Sequence, residues 1–283
     1  MTTSATAAGT GRLGTRTVAR LGYGAMQLAG PGVFGPPADR SRAVAVARRA
    51  VELGVDHVDT SDFYGPHVTN EILREALHPY DGLTLVTKVG ARRDAEGAWL
   101  EALSADELRS GVHDNLRNLG VERLDVVNLR MHDTESSLAE PLGVLTDLRD
   151  EGLIDQVGIS NVGAGQLAEA TAATSPACVQ NQYNLVQRED EALVDACEAA
   201  GIAYVPFFPL GGFSPVQSAG LDAVAQRLGA TSMQVALAWL LARSPAILLI
   251  PGTSSPEHLE QNVAAASVPL SEQDRAELDA LAA

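Results

Sequence analysis

"LTLVTKV" (Leu83–Val89) and "LDVVNLR" (Leu124–Arg130) bracket the stretch "SADELRSGVHDNLRNLG" (Ser104–Gly120), and the reading of this one unit decides the fold. Ser104 and Glu107 stand at capping-box spacing and Gly120 supplies a C-terminal stop, so the middle stretch is expected to be a helix. The flanking runs are short and rich in β-branched residues, as buried strands are. A strand, a helix and a second strand in this order make a parallel pair joined by a crossover.

Working outward, the alternation repeats along the chain. Apolar runs stand at "VARLGYG" (Val18–Gly24), "HVDTSD" (His57–Asp62), "IDQVGIS" (Ile154–Ser160), "CVQNQ" (Cys178–Gln182), "AYVPFFP" (Ala203–Pro209) and "ILLIPG" (Ile247–Gly252). With the first two runs this makes eight. "SRAVAVARRAVELG" has helical spacing and closes on Gly54; Thr231 and Gln234 form a capping box before "MQVALAWLLA", and Ser271 opens a terminal helix. Eight strand-then-helix units predict a single (β/α)8 TIM barrel over residues 13–283, with extra C-terminal helices, after a flexible N-terminal tail of residues 1–12. A doubly wound open sheet would carry G-x-G-x-x-G after an early strand, and no such turn follows any run.

The 283 residues are enough for one barrel-sized domain, and no linker or shift in composition divides them. A formal net charge of −16 argues against nucleic acid and anionic membrane surfaces as partners. No apolar run approaches the roughly 20 residues that span a bilayer, and the N-terminus lacks a secretory signal, so a cytoplasmic protein is expected. Cys178 and Cys197 lie far apart with no zinc-type spacing and read as ordinary thiols. The sequence does not fix whether the protein is a monomer or a homo-oligomer.

A barrel places its active residues at the carboxyl ends of the strands. Collected there are Asp59 and Tyr64, then Lys88, then Arg130 with His132 just beyond, then Ser160 and Asn161, Gln180, Phe207, and "GTSSPEHLEQN" (Gly252–Asn262). Singly, each has an ordinary role as a cap or a solvated strand end. Together, the first three are chemically coherent. A phenol titrates near pH ~10 and needs a nearby cation to work as an acid-base group at neutrality. Lys88 can be that cation, and a buried lysine needs a carboxylate such as Asp59 to keep its charge. Asp56, Asp59 and Asp62 do not make a metal site on this reading: alternation sends Asp56 to the opposite face and no histidine motif accompanies them. G-x-S-x-G, the mark of a serine nucleophile, is absent. "PLGGFS" (Pro209–Ser214) and "GTSSPEH" both suit phosphates, the first by close backbone approach and the second at a helix N-terminus.

Taken in order, "RLGYGAM", "DTSDFYG", "VTKVG", "LDVVNLR", "GISN", "QNQYN", "FFPLGG" and "IPGTSSPEHLEQN" resemble the aldo-keto reductases over nearly the whole chain. Within that family the sequence is most similar to bacterial members that include pyridoxal reductase. The resemblance implies an NADPH-dependent reductase of aldehydes or ketones, NADH not being excluded, with pyridoxal as leading substrate. It implies Tyr64 as proton donor, Lys88 and Asp59 as its supports, and Ser160, Asn161 and Gln180 as holders of the nicotinamide carboxamide. Phe207 would lie under the nicotinamide ring; Leu210 and Gly212 fall in the pyrophosphate loop, and Gln261 and Asn262 at the adenine contacts. Met26 and Gln27 are candidate substrate walls.

Two positions depart from the family pattern. Where it often has a histidine on the fourth strand this chain has Arg130, with His132 two residues later, and either can face the mouth. Arginine stays protonated, so it can bind a carbonyl oxygen or an anion but cannot act as a base. In the last phosphate loop, Gly252 and His258 stand where many members grip the 2′-phosphate with lysine and arginine, leaving Thr253, Ser254 and Ser255 as donors. A nicotinamide-binding regulatory protein with little turnover is the alternative reading.

Overall fold

The structure, a computed structural model, describes residues 3–212 and 216–282. Its centre is a parallel sheet whose strands follow the order β3 (Tyr23–Gly24), β4 (His57–Asp59), β5 (Thr84–Val89), β8 (Leu124–Arg130), β9 (Ile154–Ser160), β10 (Cys178–Gln180) and β11 (Ala203–Tyr204). Strand β1 (Thr10–Leu13) pairs antiparallel with β2 (Arg16–Ala19), and β6 (Ala91–Arg93) with β7 (Trp99–Glu101), as two separate hairpins.

The eighth expected run, Ile247–Gly252, forms no ladder of its own. It closes the sheet into a barrel through single bridges, Tyr204↔Ile247 on one side and Leu21↔Leu249 and Gly24↔Gly252 on the other. Gly24 and Gly252 permit this closure. A Cβ on Gly24 would lie 2.5 Å from the carbonyl oxygen of Ile250, and one on Gly252 2.8 Å from that of Gly24. The buried hydroxyl of Tyr23 adds a bond to the carbonyl of Thr253 at 2.7 Å.

Helices α1 (Arg40–Glu52), α2 (Val68–Leu77), α3 (Ala105–Leu119), α4 (Ala139–Asp150), α5 (Ala164–Ala173) and α6 (Glu191–Ala200) follow successive strands. Two helices, α7 (Ala219–Leu228) and α8 (Ser232–Arg243), follow β11, and α9 (Pro256–Ala264) and α10 (Glu272–Asp279) complete the chain. Helix α3 begins at the Ser104–Glu107 capping box and ends with Gly120 at φ 75°. The boxes at Thr231 and Ser271 open α8 and α10. The main apolar core lies between these helices and the sheet, with Val58, Val127 and Ile159 among its fully buried members. Among the described residues no helix is long and apolar enough to cross a membrane.

Two expectations about the N-terminal region are corrected. Residues 1–12 do not read as a loose tail from Ala5 onward: Ala5 is fully buried, and Thr10–Leu13 forms half of the first hairpin. That hairpin plugs the floor of the barrel, where Leu13 and Val18 pack with Val86, Val126 and Leu248. Secondly, Val18–Gly24 is not one strand. Both carboxylate oxygens of Asp56 take the amide of Ala19, and the Arg20 guanidinium turns to the carbonyls of Leu241, Ser244 and Ile247, so the run breaks between the hairpin and the barrel stave.

Candidate active site

The strand register sets the site before any side chain is considered. Asp59 ends β4, Lys88 lies opposite Asn128 on the neighbouring pair, and Arg130 and Gln180 both lie opposite Ser160. Alternation turns Asp59, Lys88 and Gln180 into the barrel. Lys88 Nζ donates to Asp59 Oδ1 at 2.5 Å and to the carbonyl of Thr60 at 2.9 Å, while Gln180 Nε2 donates to the other Asp59 oxygen at 2.8 Å. An ammonium has three protons, so one remains, and the ring centroid of Tyr64 lies 5.2 Å from Nζ.

Burial is nearly complete: Asp59 and Lys88 are each 4 % exposed and Tyr64 7 %. Burial is the largest single influence on the Lys88 ammonium and presses it toward neutrality, but Asp59 and Tyr64 together outweigh it and the net direction is upward. For Tyr64, burial wins: it raises the phenol above its ordinary value, against the pull of Lys88 and, more weakly, of Arg130. A protonated phenol beside a held cation is poised to give a proton, more than to take one.

Support comes from a buried polar chain to which the strand-end rule does not point. Thr60 Oγ1 donates to Asn70 Oδ1 at 2.7 Å, Asn70 Nδ2 to Asn115 Oδ1 at 2.8 Å, and Thr87 Oγ1 to the same oxygen at 2.5 Å. These bonds fix the loop whose Thr60 carbonyl accepts from Lys88. Asp62 turns away to His67 Nδ1 and Asn118 Nδ2 at 2.9 and 2.8 Å, tying the same loop to α3.

Beside Asp59 and Tyr64 opens a cleft of 360 Å³, within the size range of small-molecule sites. Of the expected residues, Met26, Gln27, Gln180, Phe207, Leu210, Gly212, Gly252, Thr253, His258, Gln261 and Asn262 line it. Met233 of α8, Phe208, Pro209, Ile250 and Pro251 line it too; Met233 sits on a helix, so the strand-end rule does not point to it. Phe207 and Phe208 meet edge to face, 5.3 Å between centroids. Ser254 faces an adjoining cavity. Phe213 and Ser214, the end of the expected glycine loop, fall outside the described residues.

Ser160 and Asn161 are not among the residues that line the cleft. Ser160 is 1 % exposed, and Asn161 takes φ 58° with its Nδ2 donating to the carbonyl of Met131 at 2.8 Å. The two fourth-strand candidates separate. Arg130 is the last residue of β8, half-buried, and its charge acts on Tyr64. His132 lies past the strand end, its Nε2 buried and without a partner, next to a loop held by Asp133.

A nicotinamide cofactor fits the donor set. Gln180 spends its amide nitrogen on Asp59 and leaves Oε1 buried without a partner, an acceptor for which a carboxamide N–H is the natural complement. Aromatic and apolar residues form most of the other wall, as a ring-shaped ligand requires.

Comparison with known proteins agrees with this geometry. Residues 20–283 match the model of the Aldo/keto reductase family. The chain is 60 % identical over 276 residues to pyridoxine 4-dehydrogenase of Escherichia coli (strain K12), covering 95 % of this chain and 96 % of that one. Among solved structures, a thermostable aldo-keto reductase in complex with the inhibitor epalrestat superposes with a TM-score of 0.83 at 28 % identity, covering 96 % and 99 % of the two chains. An aldo-keto reductase from Klebsiella pneumoniae in complex with NADPH gives 0.81 at 26 % identity, covering 99 % and 95 %. With the barrel, the buried Tyr64–Lys88–Asp59 group and a match spanning nearly its whole length, the chain belongs to the aldo/keto reductase family.

Proposed function

We propose that the protein is an NADPH-dependent oxidoreductase that interconverts a carbonyl and an alcohol, with a pyridoxal-type aldehyde as its substrate. The observation that carries this reading is the Lys88 ammonium, held by Asp59 at 2.5 Å and by the Thr60 carbonyl, beside a buried phenol that stays protonated. The 60 % identity to a pyridoxine 4-dehydrogenase and the NADPH bound in a 26 % identical neighbour support the substrate class and the cofactor.

A nicotinamide held in the cleft would supply a hydride for the carbonyl carbon. Tyr64 donates the proton to the carbonyl oxygen. Lys88 stabilises the phenolate left behind, and Asp59 keeps Lys88 charged through that change. Arg130, whose charge already acts on Tyr64, holds the substrate oxygen or an anionic group near it. Gln180 would accept from the carboxamide, Phe207 would back the ring, and Leu210, Gly212, Gln261 and Asn262 would hold the rest of the cofactor. Met26 and Gln27, at the cleft edge, bound the substrate.

The test is NADPH oxidation with pyridoxal and a panel of simple aldehydes. Tyr64→Phe should lower kcat by about 10²–10⁴-fold, the usual worth of a positioned proton donor. Arg130→Met should lower kcat/KM far more than His132→Ala. Wild-type turnover by Tyr64→Phe sinks the mechanism; a larger loss from His132→Ala moves the fourth role to the histidine.

A further inference from the structure

The cleft and the cavity next to it are poor in cations for a ligand that carries three phosphate groups. The second cavity, 560 Å³, shares Met26, Gln27 and Gly212 with the cleft and extends to Ser254, Ser255 and the start of α1. Among the described residues lining either one, Arg42 is the sole arginine or lysine. It projects from the first turn of α1, which packs against α9.

Nearby arginines are committed elsewhere. Arg40 bonds Glu75 at 2.9 Å, and Arg49 bonds Glu260 at 2.7 Å. Arg42 has only a long contact, 3.6 Å, with Glu257 in the first turn of α9, and both side chains are more than half exposed. Such a pair contributes little and gives way readily to a stronger anion. Asp39, on the same rim, is occupied as the cap of α1, accepting the backbone amide of Arg42 at 2.9 Å.

We propose that Arg42 supplies the positive charge for the 2′-phosphate of NADPH, from α1 instead of from the last phosphate loop. The proposal rests on the reading of the cleft as a cofactor site. Gly252 and His258 provide no permanent cation, while Ser254 lines the cavity that Arg42 also lines; the hydroxyl of Ser255 is already spent, donating to Glu257 at 2.6 Å and capping α9. A guanidinium offers two parallel donors to a phosphate, which a lysine does not. Glu257, across the same gap, then acts as a brake on affinity for the 2′-phosphate, holding Arg42 when no anion is present.

NADPH and NADH differ only in that phosphate, so the test is the pair of dissociation constants, read from quenching of protein fluorescence without substrate. Arg42→Ala should weaken NADPH by about tenfold, the worth of one charge-assisted contact, and change NADH less than twofold. Competition by 2′,5′-ADP should fall in parallel, and Arg42→Lys should restore part of the loss. Glu257→Gln should shift selectivity the other way, toward NADPH. Equal weakening of both nucleotides would assign Arg42 to the pyrophosphate or to packing and overturn the proposal, as would no change in either. A wild-type protein that binds neither nucleotide would overturn the cofactor reading itself.

Discussion

Removing the ammonium of Lys88 tests the charge pair at the centre of the site. The pair is buried, with side chains each 5 % exposed and 2.5 Å between Nζ and Oδ1. In Lys88→Met the Asp59 carboxylate keeps only the Gln180 amide, and an uncompensated buried charge of this kind costs about 3–5 kcal/mol. Asp59→Asn strands the ammonium with the Thr60 carbonyl and should cost a similar amount. The double variant removes both charges and leaves an oxygen for Gln180, so it should recover most of the loss, giving a coupling of about 2–3 kcal/mol. Urea unfolding followed by circular dichroism reads this directly: with a slope of about 3 kcal/mol/M, each single variant loses more than about 1 M in midpoint. Strictly additive single losses, or single losses below about 1 kcal/mol, would refute the claim that Asp59 is what holds Lys88 charged.

Two further outcomes follow from the same geometry. Because burial raises the Tyr64 phenol above its ordinary value, it is protonated below that value; kcat for carbonyl reduction should stay level through neutrality and fall only in strong alkali, while alcohol oxidation, which needs the phenolate, should climb with pH. A reduction rate that declines between pH 6 and pH 8 would remove Tyr64 as donor. Leu13→Ala, in the floor hairpin, should cost about 2–5 kcal/mol in urea unfolding, since Leu13 is 1 % exposed within the barrel interior; a variant as stable as wild type would show the hairpin to be dispensable.

The barrel was legible because its signals are local and repeated. Capping boxes at Ser104, Thr231 and Ser271 and the stop at Gly120 each act within a few residues, and apolar runs between them have few other places to go. Asp59, Tyr64 and Lys88 were legible because a strand end and a two-residue period place them. The floor hairpin was not, because its strands are held by distant partners: Arg16 reaches Asp125 and Asp155, at 2.7 and 2.9 Å, more than a hundred residues away. The β6–β7 hairpin escaped as well, although Asp94 and Gly97 mark its turn; the Asp94 carboxylate accepts the amides of Glu96 and Ala98. Nor can a strand-end rule find Met233 or Arg42, which reach the cavities from helices.

The way the barrel closes bears on how its site behaves. The seven strands from β3 round to β11 are joined to one another by ladders, while Ile247–Gly252 joins the two end strands through three bridges, a few backbone bonds and the Tyr23 hydroxyl, and this is where the cleft lies, with Gly24 on one lip and Ile250, Gly252 and Thr253 on the other. The seam of the cylinder and its keyhole are one place. A cofactor lodged there spans the joint that the backbone leaves lightly sewn, so its binding energy is also closure energy for the cylinder. Amide exchange along Ile247–Thr253 should therefore slow more on loading than in the laddered staves β5, β8 and β9, and the empty protein should begin to open at the same edge through which its cofactor comes and goes.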